Sequence, residues 1–143
     1  MSVYLDTSVL LPRLVEEAAS AALRHYLTAR HEERLVSDFA AAEVASALSR
    51  LVRMGLLSGP EGYARLADFD AWRAATSAAV DVHASDARLA YAYVRRFDLK
   101  LRAPDALHLA VARRLDATLI TLDRRLARAA QELGIAAALP MTS

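Results

Sequence analysis

The run Ala117-Thr118-Leu119-Ile120-Thr121-Leu122 constrains the fold more than any other stretch. It is short, apolar and rich in β-branched residues, as a strand in the middle of a parallel sheet must be when both its faces are covered. Asp123 follows it at once. Near the start of the chain the arrangement recurs: Val3 and Leu5 alternate with more polar neighbours, which predicts a strand, and Asp6 stands at or near its carboxyl end. Ligands of open α/β sheets bind outside the carboxyl ends of the strands, so both acids face a candidate site.

Between these strands the pattern alternates. Glu16 to Arg30 predicts a helix with Ala19, Leu23, Tyr26 and Leu27 on one apolar face. Leu35-Val36-Ser37 reads as a strand, and Asp38 as the cap of a helix running to about Met54 with Val44, Leu48, Leu51 and Val52 inward. Gly55 ends it. Ser58-Gly59-Pro60-Glu61 then carries a cap, an early proline and a capping-box glutamate for a helix to about Ala75, with Tyr63, Leu66, Phe69 and Trp72 spaced by threes. Ala78 to Val82 reads as a strand or extended connector, and Ser85 as the cap of a helix to Arg96 with Leu89, Ala90 and Tyr93 inward. Pro104 suits the first turn of the next helix, whose core face is Leu107, Val111 and Leu115. Arg124 to Leu133 reads as the last helix, stopped by Gly134, and Ile135 to Leu139 as an edge strand. With no internal repeat, low-complexity tract or linker, these elements are expected to form one domain over residues 1–143, an α/β sandwich around a mainly parallel sheet.

Composition narrows the function classes. A formal charge of +1 is too small to imply a nucleic-acid or membrane partner by itself. The absence of cysteine removes disulfides, thiol nucleophiles and Cys-type zinc sites, and suits a reducing compartment. No signal segment or uncharged stretch approaching a membrane span is visible, so a cytoplasmic protein is expected.

Four acids then stand out. Asp6 and Asp123 end strands, while Glu43 and Asp105 lie in early turns of helices that follow a strand edge. Each has an ordinary reading as well: Glu43 as a solvated helix residue, since its spacing from Ser37 or Asp38 is wrong for a capping box, and Asp105 as an acid favoured by a helix N-terminus. If the strands are neighbours the four carboxylates converge, and such a cluster raises its own pKa values unless a cation neutralises it. All-oxygen ligands favour Mg²⁺ or Mn²⁺, which retain water and join carboxylates to substrate phosphate. His108, with no second imidazole or thiol at ligand spacing, reads as a packed or hydrogen-bonded helix residue.

Asp6-Thr7-Ser8, Glu43 in an alanine-rich helix, Arg102-Ala103-Pro104-Asp105-Ala106-Leu107-His108-Leu109-Ala110 and Thr121-Leu122-Asp123 occur in an order and at a chain length that resemble the PIN-domain ribonucleases. More narrowly they resemble VapC toxins of type II toxin-antitoxin systems. The resemblance implies a PIN-like three-layer sandwich and a Mg²⁺-dependent endoribonuclease whose metal is held by Asp6, Glu43, Asp105 and Asp123. It further implies that Thr7, Ser8 and Thr121 support the acids, that the protein is a homodimer, and that a cognate VapB-type antitoxin inhibits it. Arg13 and Arg102 are the candidates for receiving the RNA backbone. Leu126 departs from the aromatic that relatives often carry three residues after the last acid, which bears on packing.

Other readings keep a place. A haloacid-dehalogenase-like phosphatase needs a second aspartate where Ser8 stands, and a receiver-type phosphoacceptor needs a lysine on a late strand, where Lys100 does not lie. A PIN-like module that binds RNA or protein without cutting differs from the nuclease in showing no Mg²⁺-dependent cleavage that EDTA stops.

Overall fold

The computed structural model describes residues 1–140, so the last three residues of the expected 1–143 unit lie outside the described residues. Five parallel strands form one sheet in the order β3-β2-β1-β4-β5: β1 Ser2–Leu5, β2 Glu33–Ser37, β3 Ser77–Val80, β4 Thr118–Ile120 and β5 Ala137–Ala138. The apolar run at 117–122 becomes β4 and pairs with β1 in the register Val3–Thr118, Tyr4–Leu119, Leu5–Ile120. The chain leaves β1 toward β2 on one side and returns to β4 on the other, so the order reverses between β1 and β4. That is where such sheets open a crevice.

Both faces of the sheet are covered, which explains the run of apolar residues in its central strands. Val3, Leu5, Val36 and Ile120 point into one layer, with α1 Thr7–Leu10, α2 Ser20–Thr28, α3 Asp38–Arg53 and α4 Gly59–Thr76 packed over them. Tyr4, Leu35 and Leu119 point into the other, beneath α5 Ala84–Val94, α6 Ala103–Arg114 and α7 Arg124–Glu132. Leu5, Leu119 and Ile120 are fully buried and contribute about 1.5–3 kcal/mol each. Gly134, at φ +75°, stops α7 as expected. Among the described residues no helix is long and apolar enough to cross a membrane.

Several boundaries differ from the sequence reading. The helix expected from Glu16 begins at Ser20, whose hydroxyl instead donates to the Pro12 carbonyl and accepts from the Glu17 N–H. Ser37, not Asp38, caps α3 by accepting from the Ala40 N–H at 2.9 Å, and Asp38 pairs with Arg73. His83 rather than Ser85 precedes α5. Tyr63 points to solvent, leaving Phe69 as the buried aromatic of α4. In α6 the buried residues are Ala106, His108, Leu109, Ala110, Val111 and Ala112, while Leu107 and Leu115 are only partly covered. A helix held between the sheet and α5 is buried over most of its circumference, and small alanines fit that position.

Asp86 is buried and pairs with Arg114 through two hydrogen bonds of 2.8 and 3.0 Å, tying α5 to the far end of α6. Burial pushes its carboxyl up, but the Arg114 guanidinium and the His83 N–H outweigh this and hold it below the usual aspartate range. A depressed folded pKa gives stability that is present above the unfolded value of about 3.9 and is lost as pH falls through the folded one. Asp86→Ala is therefore expected to lower stability by about 2–4 kcal/mol at pH 7. The gap should narrow as pH falls below about 4. Urea denaturation of both proteins at pH 7 and pH 3 checks this; an equal gap at both pH values would contradict it.

Candidate active site

Asp6 is the first residue after β1 and the N-cap of α1. It is 4% exposed, and its backbone N–H extends the β1–β4 ladder by donating to the Ile120 carbonyl at 3.2 Å. Its Oδ1 accepts from the Ser8 N–H and the Ser8 hydroxyl; its Oδ2 accepts from the Thr121 hydroxyl at 2.7 Å. Those two hydroxyls in turn accept backbone N–H groups, Ser8 from Leu122 at 2.9 Å and Thr121 from Asp123 at 3.0 Å. Burial raises the Asp6 pKa, and the bonds from Ser8 and Thr121 pull it only part of the way back.

Asp123, two residues beyond Thr121, caps α7 by accepting from the Arg125 and Leu126 N–H groups at 2.9 and 3.3 Å. Helix α3 starts where β2 ends, so Glu43 in its second turn lies at the same edge of the sheet. It is half-buried, and its Oε1 accepts from the Thr7 hydroxyl at 2.7 Å and from His108 Nε2. Burial would raise the Glu43 pKa, but the bonds from His108 and Thr7 prevail and hold it below the ordinary glutamate value. The solvated reading of Glu43 is thus wrong for a physical reason: two donors from other elements hold the carboxylate in place.

Asp105 occupies the third position of α6, one turn before His108 on the same helix face, and its Oδ2 lies 3.4 Å from the Arg102 N–H. His108 reaches Glu43, so this end of α6 sits over the same edge. The three aspartates and Glu43 therefore share the carboxyl-terminal side of the sheet around the β1–β4 switch point. Among the described residues no Arg or Lys is paired with Asp6 or Asp105, and Asp123 has only Arg125 at 4.0 Å. Among the same residues no group of three or more His, Asp or Glu side chains is gathered tightly enough to hold a metal ion alone.

Arg102 is exposed at the start of α6. Arg13 is exposed as well, its guanidinium 4.6 Å from the centre of the Trp72 ring. Sequence reasoning missed Tyr4 and Ser37. The Tyr4 hydroxyl is buried within hydrogen-bond distance of Ser37 Oγ, 2.8 Å, and His108 Nδ1, 2.6 Å. The available signal was a phenol in the middle of a strand whose neighbours are all aliphatic or small.

The family model described as PIN domain matches residues 3–132. Ribonuclease VapC46 of Mycobacterium tuberculosis is 35% identical over 142 residues, 97% of this chain and 98% of that protein. Among solved structures, Mycobacterium tuberculosis VapC20, described as a sarcin-ricin-loop-cleaving toxin, superposes with a TM-score of 0.74 at 18% identity, covering 89% of this chain and 94% of its own. VapBC2 of Rickettsia felis, bound to a fragment of its promoter DNA, superposes with a TM-score of 0.72 at 15% identity, covering 97% and 98%. At such identities the two structures share the fold alone, but the family model and VapC46 each match most of the sequence. The chain belongs to the PIN-domain family, among the ribonucleases of VapC type.

Proposed function

We propose that the chain is a metal-dependent endoribonuclease acting as the toxin of a VapBC-type pair, as one PIN unit over residues 1–143. The observation that carries this reading is Asp6: a buried carboxylate at the β1–β4 switch point, oriented by two hydroxyls and, among the described residues, paired with no Arg or Lys. A carboxylate so placed is stabilised by a bound cation, and three further acids share its edge.

The donor set fits a hard divalent ion. Asp6, Asp105 and Asp123 would hold it, with Glu43 acting directly or through water. Mg²⁺ keeps several waters and joins protein carboxylates to substrate phosphate, so water and phosphate would complete its shell; Mn²⁺ would substitute. When bound, the ion supplies a Lewis acid for the phosphoryl oxygen and lowers the pKa of a water. The chain's own part is orientation: Ser8 and Thr121 fix the Asp6 oxygens, and Thr7 fixes Glu43. Arg102 and Arg13 are exposed and suited to contacts with the RNA backbone.

The ribonuclease and VapBC names of the relatives support RNA as substrate and a VapB-type antitoxin as partner. A cytoplasmic location suits both. A homodimer is proposed on the same ground, with exposed Tyr91 and Phe97 as apolar surface for it to cover. Light scattering on the purified chain should return twice the monomer mass; the monomer mass would remove the dimer from the proposal.

The alternative is a PIN-like module that binds RNA or protein without cutting. The two readings part on catalysis. The purified chain should cleave RNA with Mg²⁺, stop on addition of EDTA and resume with excess Mg²⁺. Asp6→Asn should abolish cleavage while keeping the melting temperature within a few degrees; a fully active variant would remove Asp6 from the mechanism. Growth arrest on expression, relieved by Asp6→Asn, would separate a toxin from a general RNA-processing nuclease. Thr121→Val, which keeps the side-chain shape and deletes the hydroxyl, should lower cleavage about 10- to 100-fold in a folded protein. Wild-type rates in that variant would show that the Thr121 bond does not orient Asp6.

A further inference from the structure

We infer that His108 is a positioning residue for Glu43, locked by Tyr4 so that its Nε2–H holds one Glu43 oxygen and leaves the other to act. This rests on the nuclease reading above and adds a residue to it.

The hydrogen bonds leave His108 one arrangement in which every group is satisfied. Ser37 Oγ accepts the Ala40 N–H that caps α3, so its own hydrogen is free to go to the Tyr4 oxygen, 2.8 Å away. The Tyr4 phenol, fully buried and already accepting from Ser37, has its own hydrogen to give to His108 Nδ1 at 2.6 Å. Nδ1 is thus an acceptor, and the ring hydrogen is on Nε2, facing Glu43 Oε1. The Tyr4 and Phe39 rings pack against the imidazole, with centroids at 5.6 and 5.3 Å.

Glu43 Oε1 therefore receives two hydrogens, one from Thr7 and one from His108, while Oε2 takes part in no hydrogen bond among the described residues. A glutamate has three side-chain torsions, and on an exposed helix face it samples many rotamers. Here the carboxylate is fixed by residues from α1 and α6, and only Oε2 is available to a cation or to water. His108 stands one turn beyond Asp105 on the same helix, so the strut also sets α6, and with it Asp105, against α3. A histidine serving only as packing would need no donor toward Glu43 and no phenol behind it.

The test compares His108→Leu, which removes the donor, with His108→Gln, whose amide retains one. Both are measured for RNA cleavage across Mg²⁺ concentration, for Mn²⁺ binding by titration calorimetry without RNA, and for thermal melting. His108→Leu is expected to need about 10-fold more Mg²⁺ for half-maximal activity, to bind Mn²⁺ about 10-fold more weakly and to lose 10- to 100-fold in rate at saturating metal. His108→Gln should recover most of each loss. Long-range ¹H–¹⁵N spectra of the metal-free protein, with His108 signals assigned by their disappearance in His108→Gln, should show the ring hydrogen on Nε2.

Unchanged Mg²⁺ dependence and Mn²⁺ affinity in a folded His108→Leu, equal losses in the two variants, or a ring hydrogen on Nδ1 alone would each overturn the inference. If His108→Leu does not fold, Tyr4→Phe and Thr7→Val carry the same measurement: each should raise the Mg²⁺ requirement, and wild-type values in both would overturn it. The parent reading fails separately, when the wild-type chain itself does not cleave RNA with Mg²⁺.

Discussion

The structure depends on keeping one carboxylate, Asp6, buried between β1 and β4. A buried ionised group without partners costs several kcal/mol, and among the described residues no Arg or Lys is paired with Asp6. Three hydrogen bonds offset that cost, and two of them come from hydroxyls that are themselves tied to the backbone beyond β4. The bonds from Thr121 to Asp6 and from the Leu122 N–H to Ser8 need β1 and β4 to pair in one register, so the pairing that builds the sheet also holds the acid. A slip of one residue would turn Tyr4 into the layer of Val3 and Leu5 and take Thr121 away from Asp6.

Tyr4 shows the same coupling on the other face. Its ring packs with Leu35 and Leu119, and its hydroxyl is buried in that layer. Burying it requires partners. Ser37 from the end of β2 and His108 from α6 provide them, so a strand, a helix cap and a second helix are fixed by one network. Glu43 and Thr7 extend it to the layer beyond the sheet edge. Satisfied networks of this kind specify one arrangement where apolar packing alone would tolerate several.

Much of this was legible in the sequence, for reasons that differ by element. β4 was legible because burial on both faces demands a continuous apolar run, β1 because Val3 and Leu5 alternate with more polar residues, and Ser58 with Glu61 announced α4 because a capping box is local chemistry. The start of α2 was not legible, because Ser20 turned its hydroxyl back to Pro12, a bond between segments that no local pattern records. The inward face of α6 was misjudged because leucines mark a stripe only when one side of a helix is covered. The site divides in the same way. Asp6 and Asp123 could be placed from their position after strands, whereas the roles of Glu43, His108 and Tyr4 depend on residues 33 to 104 positions apart. Spacing along the chain carries no trace of such contacts.

The remaining question is how a fold brings four acids to one edge without tearing itself apart. Helices α1, α3 and α7 start directly after β1, β2 and β4, and His108 ties α6 to Glu43, so the N-termini of these four helices gather at the carboxyl ends of the strands. Each terminus carries unsatisfied N–H groups and a partial positive charge. Asp6 and Asp123 cap two of them directly and Asp105 lies in the first turn of a third, so three carboxylates are partly neutralised by backbone alone. Glu43 lies a turn further in, beyond the reach of its own helix's free N–H groups, and it is the acid that receives a histidine and a threonine. Backbone N–H groups serve Asp6, Asp105 and Asp123, hydroxyls add to Asp6, Arg125 stands 4.0 Å from Asp123, and Glu43 is held by side chains. An edge organised in this way tolerates its own charge.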